Sequence, residues 1–390
     1  MTVVLSSANK NQTAHRANKT EHNNNNNNNN NKAYVSYPEP HEQQPLVKQA
    51  HSDQDLNQLS LAETNPYRNF GHISTDGLEG GAVAGHELLR FEDLYKKQCE
   101  RIVDAITSLK FESIRDIWLG FWRAALPSAA VHTDYESQMS SHKFYSLCEL
   151  PQVVDYVKHA DHEFYQFCIE ILIPDVLGSL PHNLVQNIRA LSKNVDSWLR
   201  QALCNCPERM RQVKLAIINT FSMTLRRYTS LNHLAQTVKN SLQNETILGQ
   251  MLNDINRVDF NYIREQAKWI CGCDERLVTR LEAEFKASLR NHGQWSLDAW
   301  IGWLDSTATS ALLEHEGTHN YAKMARQFLL KWTFMCSSIV RDLTLRSAPT
   351  FGSFHLIRLL YDEYMCYLIE IKIAGQLKQS PLATMCNSDC

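Results

Sequence analysis

MRQVKLAIINTFSMTL (Met210–Leu225) decides the fold. Met210, Val213, Ile217, Phe221 and Leu225 recur at steps of three and four, which puts one apolar stripe on one face of an α-helix. No strand-like alternation competes with it. No proline occurs between Pro207 and Pro349, so nothing in that interval forbids several long helices. Leu277, Leu281, Phe285 and Leu289 form a second stripe, and Leu297, Trp300, Ile301 and Leu304 a third.

The same period extends towards the N-terminus. Phe91, Leu94, Tyr95, Ile102, Val103, Ile106 and Leu109 form a stripe, with Cys99 filling its missing turn. Ile114, Ile117, Trp118, Phe121 and Trp122 continue it until Pro127. The polar stretch 128–143 is expected to be a loop. Helical spacing resumes over Val153–Leu172, and Pro174 and Pro181 bracket a turn. The predicted fold is all-α: a large multi-helix, bundle-like domain over residues 87–385, with a short tail at 386–390. Residues 1–86 are expected to be a disordered, Asn-rich tail. Nine consecutive asparagines, Asn23–Asn31, lie there among polar residues, and apolar side chains are too sparse to offset the ordering entropy. Gly77, Gly80, Gly81 and Gly85 lack GxGxxG spacing and a preceding strand, so they read as a hinge.

Composition narrows the function. The chain has 390 residues, 39 Lys+Arg against 42 Asp+Glu and a net charge of −3, which disfavours a protein built chiefly to coat phosphates. A folded portion of this size hides about three quarters of its unfolded surface and needs no staple. Met1–Ser7 is too weakly apolar for a secretory signal, and no apolar run reaches a membrane-spanning length. The 11 cysteines, an odd number, suit a reducing compartment. Cys204/Cys206 and Cys271/Cys273 are CxC pairs without a second His/Cys pair at finger-like spacing, so no metal is expected there.

Catalytic motifs are scarce. HEGTH (His315–His319) satisfies HExxH, the zinc-protease pattern, which requires a helix to bring both imidazoles to one face. Gly317 in its middle and its place between two stronger stripes read as a connection, and no third ligand follows at the usual spacing. A zinc metalloprotease is the remote alternative; the expectation is no enzyme, no metal and no cofactor. Two other segments are candidates for recognition. TLRRYTSLNHL (Thr224–Leu234) mixes arginines, hydroxyls and an aromatic ring, and reads as a helix–helix corner before a phosphate contact. Arg341–Glu370, broken by Pro349 and Gly352 into helix, turn and helix, carries more apolar and aromatic surface than one helix face needs. Leu343, Phe351, Phe354, Ile357, Tyr361 and Tyr364 are its candidate dimer anchors, with intrachain core as the equally open reading.

Several strings together resemble the regulatory factor X (RFX) family of transcription factors. They are EILIPDVL (Glu170–Leu177), TLRRYTSLNHLAQ (Thr224–Gln236), MLNDINRVDF (Met251–Phe260), ARQFLLKW (Ala325–Trp332), RDLTLRSA (Arg341–Ala348) and FGSFHLIRLLYDEYM (Phe351–Met365). Their order matches the family's B, C and dimerisation segments, from about Leu89 to Leu382, and is nearest the branch associated with cilium genes. The resemblance implies a nuclear regulator of RNA polymerase II transcription at X-box promoter elements. It also implies association with itself or another RFX protein as a homo- or heterodimer, without a membrane. The family reads DNA through a winged-helix domain, of which this sequence shows no counterpart. X-box DNA is therefore expected to be reached only through such a domain outside this sequence. The other reading is a DNA-binding-deficient partner, dominant-negative or adaptor.

Overall fold

In the computed structural model the described residues are 70–75, 85–123, 138–242, 244–290 and 296–386. Among them every regular element is helical, as the periodicity predicts, with thirteen α-helices and no strand. The first five are α1 (Gly85–Thr107), α2 (Ser113–Phe121), α3 (Ser141–Cys148), α4 (Pro151–Leu172) and α5 (His182–Ala202). Then come α6 (Glu208–Leu242), α7 (Glu245–Ile255), α8 (Phe260–Cys271) and α9 (Glu275–Arg290). The last four are α10 (Leu297–Leu312), α11 (Tyr321–Leu345), α12 (Phe351–Leu377) and α13 (Pro381–Cys386). None is long and apolar enough to cross a membrane.

Local chemistry sets many of the boundaries. Pro151 opens α4, where a missing N–H costs nothing. Asn244, Asp259 and Ser296 cap α7, α8 and α10 by accepting from the N–H groups of Ile247, Tyr262 and Ala299. The CGC string is the C-terminal stop of α8. Gly272 sits at φ +57°, and the N–H groups of Gly272 and Cys273 return to the Lys268 and Ala267 carbonyls, each at 3.1 Å.

Two long helices organise the packing. Helix α6, 35 residues, carries the Met210–Leu225 stripe and packs against α4, α5, α12 and α13. Helix α12, 27 residues, is apolar nearly all round and lies against α6, α10, α11 and α13. A helix apolar on every side is stable only when surrounded.

The burial pattern departs from the sequence reading at particular points. Leu109 does not continue the α1 stripe: the helix ends at Thr107, and Leu109 turns the chain at φ +56° with its side chain exposed. Lys143, expected in a loop, lies in α3, while 124–137 fall outside the described residues. Gly352 lies in the first turn of α12, so the break is made by residues 346–350. Most of the expected tail, 1–86, also lies outside the described residues. Its segment 70–75 is described, and Ile73 is buried there, its N–H donating to Glu92 Oε1 at 2.7 Å.

One charged group lies inside the core. Lys214, within the decisive stretch, is 0% exposed, and Asp161 of α4 is 1% exposed. The Lys214 Nζ stands 2.8 Å from Asp161 Oδ2, and it donates to Asp161 Oδ1 at 3.1 Å and to the Tyr95 hydroxyl at 2.8 Å. The Tyr95 hydroxyl in turn donates to Asp161. The ammonium also lies over the Trp122 ring, 5.1 Å from its centroid. Burial pushes the Asp161 carboxyl up, and Lys214 beside it pulls the other way.

Two stability predictions follow from this core. Lys214→Met leaves a buried carboxylate unpaired and is expected to cost about 3–5 kcal/mol in urea unfolding. Adding Asp161→Leu and Tyr95→Phe should recover most of that loss, and a triple variant no more stable than the single one would refute the account. The second concerns His162, which is 5% exposed, so that burial and neighbouring Lys158 and His159 pull its imidazole from 6.5 down to about 4. Between those values the unfolded chain binds the extra proton, so stability falls as pH drops through the window. The loss should reach up to about 3 kcal/mol, and His162→Phe should flatten the pH dependence of the urea midpoint between pH 6.5 and 4.

Candidate association surface

Helices α11 and α12 carry the six candidate anchors. Leu343, Phe354, Ile357, Tyr361 and Tyr364 are buried within the chain, and Phe351 is half-buried. Phe354 packs on Phe285 of α9, and Tyr361 on Trp300 of α10 and Trp332 of α11. The six residues therefore do not form one outward patch: five build core, and Phe351 alone reaches the surface. Phe351 heads a short stripe at steps of four, stacking on His355 at 5.8 Å and followed by exposed Leu359. Leu345, at the end of α11, is 77% exposed.

The corner between the two helices is fixed from a distance. The Ala348 and Ser347 N–H groups return to the Leu343 and Thr344 carbonyls, both at 3.0 Å, and Ser347 takes φ +51°. Asp254, at the end of α7, then accepts from the Thr350 N–H at 3.2 Å and from the Thr350 hydroxyl at 2.5 Å. A carboxylate at the N-terminus of α12 satisfies a free N–H and faces the positive end of the helix dipole. Sequence reading passed over Asp254, whose only signal was its place inside MLNDINRVDF.

The other strings resolve into structure. TLRRYTSLNHLAQ lies in the middle of α6 and makes no corner. Arg227 pairs with Glu370 of α12 at 2.6 Å, and Arg226 donates to the Ser192 carbonyl at 2.7 Å. Leu225 and Leu231 are buried, while Leu234 is half-buried. Asn232 and Gln236 hold the connection after EILIPDVL: Asn232 donates to the carbonyls of Val176 and Gly178, Gln236 to those of Leu177 and Gly178, at 2.6–3.2 Å. Two separate strings are thus halves of one hydrogen-bonded unit.

HEGTH falls in the connection between α10 and α11. His315 ends a short 3-10 turn, Gly317 has φ +73°, and Thr318 donates back to the His315 carbonyl through both its N–H and its hydroxyl. No helix places the two imidazoles one turn apart, and among the described residues no three His, Cys, Asp or Glu side chains converge as metal ligands. Cys204 is exposed and Cys271 half-buried, while Cys206 and Cys273 are buried, with burial pushing the Cys206 thiol up to about 12.

Breaking the long-range cap isolates its contribution. Asp254→Ala leaves the buried Thr350 hydroxyl and N–H without their acceptor and should cost about 1–3 kcal/mol, read as a lower urea midpoint. Thr350→Ala in the same background should then add little, since the two residues act as one pair.

Comparison with known proteins finds a matching family model and curated relatives. The family model for the RFX BCD domain matches residues 91–376. Transcription factor RFX3 of Xenopus tropicalis is 44% identical over 325 residues, 81% of this chain and 43% of the relative. DNA-binding protein RFX2 of Homo sapiens is 42% identical over 352 residues, 88% of this chain and 48% of the relative. The chain thus spans about half the length of the curated relatives it matches. No solved structure matches it. By the match to the BCD model and by these identities, this chain belongs to the RFX family.

Proposed function

We propose that the chain acts in the nucleus as the helical association region of an RFX-type regulator of RNA polymerase II transcription at X-box promoter elements. The observation that supports this reading most directly is the match of residues 91–376 to the RFX BCD domain. The relatives' names describe a transcription factor and a DNA-binding protein, and neither describes an enzyme.

The physical role is coupling. X-box sites are imperfect inverted repeats, and a two-fold assembly matches a two-fold site. Joining two DNA readers raises the effective concentration of the second without any new base contact. A near-neutral helical body suits this task, because it adds association without adding non-specific phosphate affinity. The partner is a second copy of this chain or another RFX protein. X-box DNA is read by a winged-helix domain, for which the sequence between Met1 and Cys390 shows no counterpart.

Association is assigned to the α11–α12 pair. Its six anchors divide by role: Leu343, Phe354, Ile357, Tyr361 and Tyr364 set the shape of the pair, and Phe351 meets the partner together with Leu345 and Leu359. In sedimentation of the full chain, Leu345→Glu with Leu359→Glu should weaken association by at least about tenfold, or 1.4 kcal/mol, with the unfolding midpoint little changed. Phe354→Ala with Tyr361→Ala should instead lower stability. A wild-type chain that stays strictly monomeric at tens of micromolar, alone and with a full-length relative, would remove the proposal. In gel-shift assays the chain alone should leave an X-box duplex unshifted, and a full-length relative should bring it into a slower-moving complex.

A further inference from the structure

We propose that the recess between α5 and α6 docks a phosphate monoester carried by a partner polypeptide, as phosphoserine or phosphothreonine. Six residues line it: Arg189, Ser192 and Lys193 of α5, and Arg226, Thr229 and Ser230 of α6. Three of them are cationic, three carry hydroxyls, and none is acidic. The string TLRRYTSLNHL supplies the α6 half, through the arginine that does not pair with α12.

The cations of the recess are left without carboxylates. Other arginines on the same two helices are paired: Arg200 with Asp196 at 2.8 Å, Arg211 with Glu208, and Arg227 with Glu370 at 2.6 Å. Among the described residues no ion pair engages Arg189, Lys193 or Arg226. Like charges gathered in one recess repel, and an anion set among them removes that cost. Arg226 is also held in place. One of its Nη atoms donates to the Ser192 carbonyl at 2.7 Å, which leaves the other N–H groups of the guanidinium for a ligand. The hydroxyls divide in the same way. Ser192 donates to the Arg189 carbonyl at 2.9 Å and Thr229 to the Leu225 carbonyl at 2.8 Å. Ser230 is exposed, and its hydroxyl has no partner among the described residues. Guanidinium N–H groups match phosphate oxygens in parallel pairs, and such charge-assisted bonds are about twice as strong as neutral ones.

The form of the recess chooses among anions. It is shallow and open, so it receives a phosphoryl group and leaves the molecule that bears it outside. Small free ligands are instead mostly enclosed by their sites. A nucleic acid offers singly charged diesters in a row, one per about 3.4 Å of each strand, and is held by a track of cations. Here three cations share one recess, in a chain whose net charge is −3. A phosphorylated side chain concentrates about −1.5 to −2 charges on one group, which suits three cations at one place. The site uses none of Leu345, Phe351 and Leu359, so it stands or falls independently of the association surface.

The test uses the full chain, immobilised, and an array of degenerate peptides with one fixed phosphoserine beside the same array with serine. Phosphoserine peptides should be retained and their serine counterparts should not. Phenyl phosphate should displace the retained peptides, and a random DNA duplex should not. Arg189→Gln with Lys193→Gln should weaken retention at least about tenfold, the scale set by charge-assisted hydrogen bonds. That double variant should melt no lower than wild type, since neither side chain holds a carboxylate. Lys110→Gln with Lys323→Gln makes the same change in net charge at two exposed lysines outside the recess, and should leave retention unchanged. The proposal is overturned if phosphorylation does not raise retention, or if inorganic phosphate binds and no peptide does. It is equally overturned if the Arg189/Lys193 variant binds like wild type or melts lower, or if the Lys110/Lys323 variant loses as much binding. A DNA duplex that displaces the peptides more readily than phenyl phosphate would assign the recess to nucleic acid and overturn it too.

Discussion

A lysine with no access to water constrains this fold more than any apolar stripe does. Lys214 sits near the start of α6 and has one place to put its charge, between Asp161 of α4 and Tyr95 of α1. Hydrophobic packing is tolerant of small slips, because many apolar arrangements bury similar area. A buried ammonium is not tolerant: displacement by one helical turn strands it from its carboxylate, at a cost of several kcal/mol. The pair therefore specifies the register of three helices more sharply than it stabilises them. Trp122, Tyr95 and Tyr165 close around the ammonium as rings whose faces accept a cation.

That register propagates along α6 to the other half of the molecule. Once Lys214 is seated, the later turns of the same rigid helix present Arg227 to Glu370 of α12, and Asn232 and Gln236 to the carbonyls of 176–178. A helix rises about 1.5 Å per residue, so these contacts are set some 20–30 Å from the lysine without any flexible link. Helix α12 is then located twice, by Arg227 on its flank and by Asp254 at its N-terminus. Polar contacts at long sequence separation position the helices, and the apolar stripes fill the space between them.

This division of labour explains what the sequence could reveal. The all-helical class was legible because periodicity is local: Met210, Ile217, Phe221 and Leu225 are buried as their spacing predicts. Lys214 was not legible. A lysine between Val213 and Leu215 reads as a solvated residue until Asp161, 53 positions earlier, is known to face it. Asp254 and Thr350, 96 positions apart, were hidden in the same way. The six candidate anchors on α11 and α12 could be named as a group from the sequence but not sorted by burial. Composition cannot say which side of a doubly apolar helix meets a partner, because an interface core and an intrachain core use the same residues. The family strings carried information that periodicity lacked, and the bonds from Asn232 and Gln236 to the EILIPDVL connection give part of the physical reason those strings occur together.

Packing is not uniform across the helical body. The N-terminal helices are held by the buried Lys214–Asp161 pair with aromatic rings packed around it. Around α8, α9, α10, α11 and α12 the packing leaves a cleft of about 80 Å³ among aromatic rings. Unfilled volume raises the free energy of the state that contains it. A region with such volume is less tightly constrained by packing than one without it. The α11–α12 pair borders that cleft, and it also carries exposed Leu345 and Leu359 and half-buried Phe351. The inner side and the outer side of these two helices therefore meet at one corner, which the Asp254–Thr350 hydrogen bonds and the Ser347 turn hold in place.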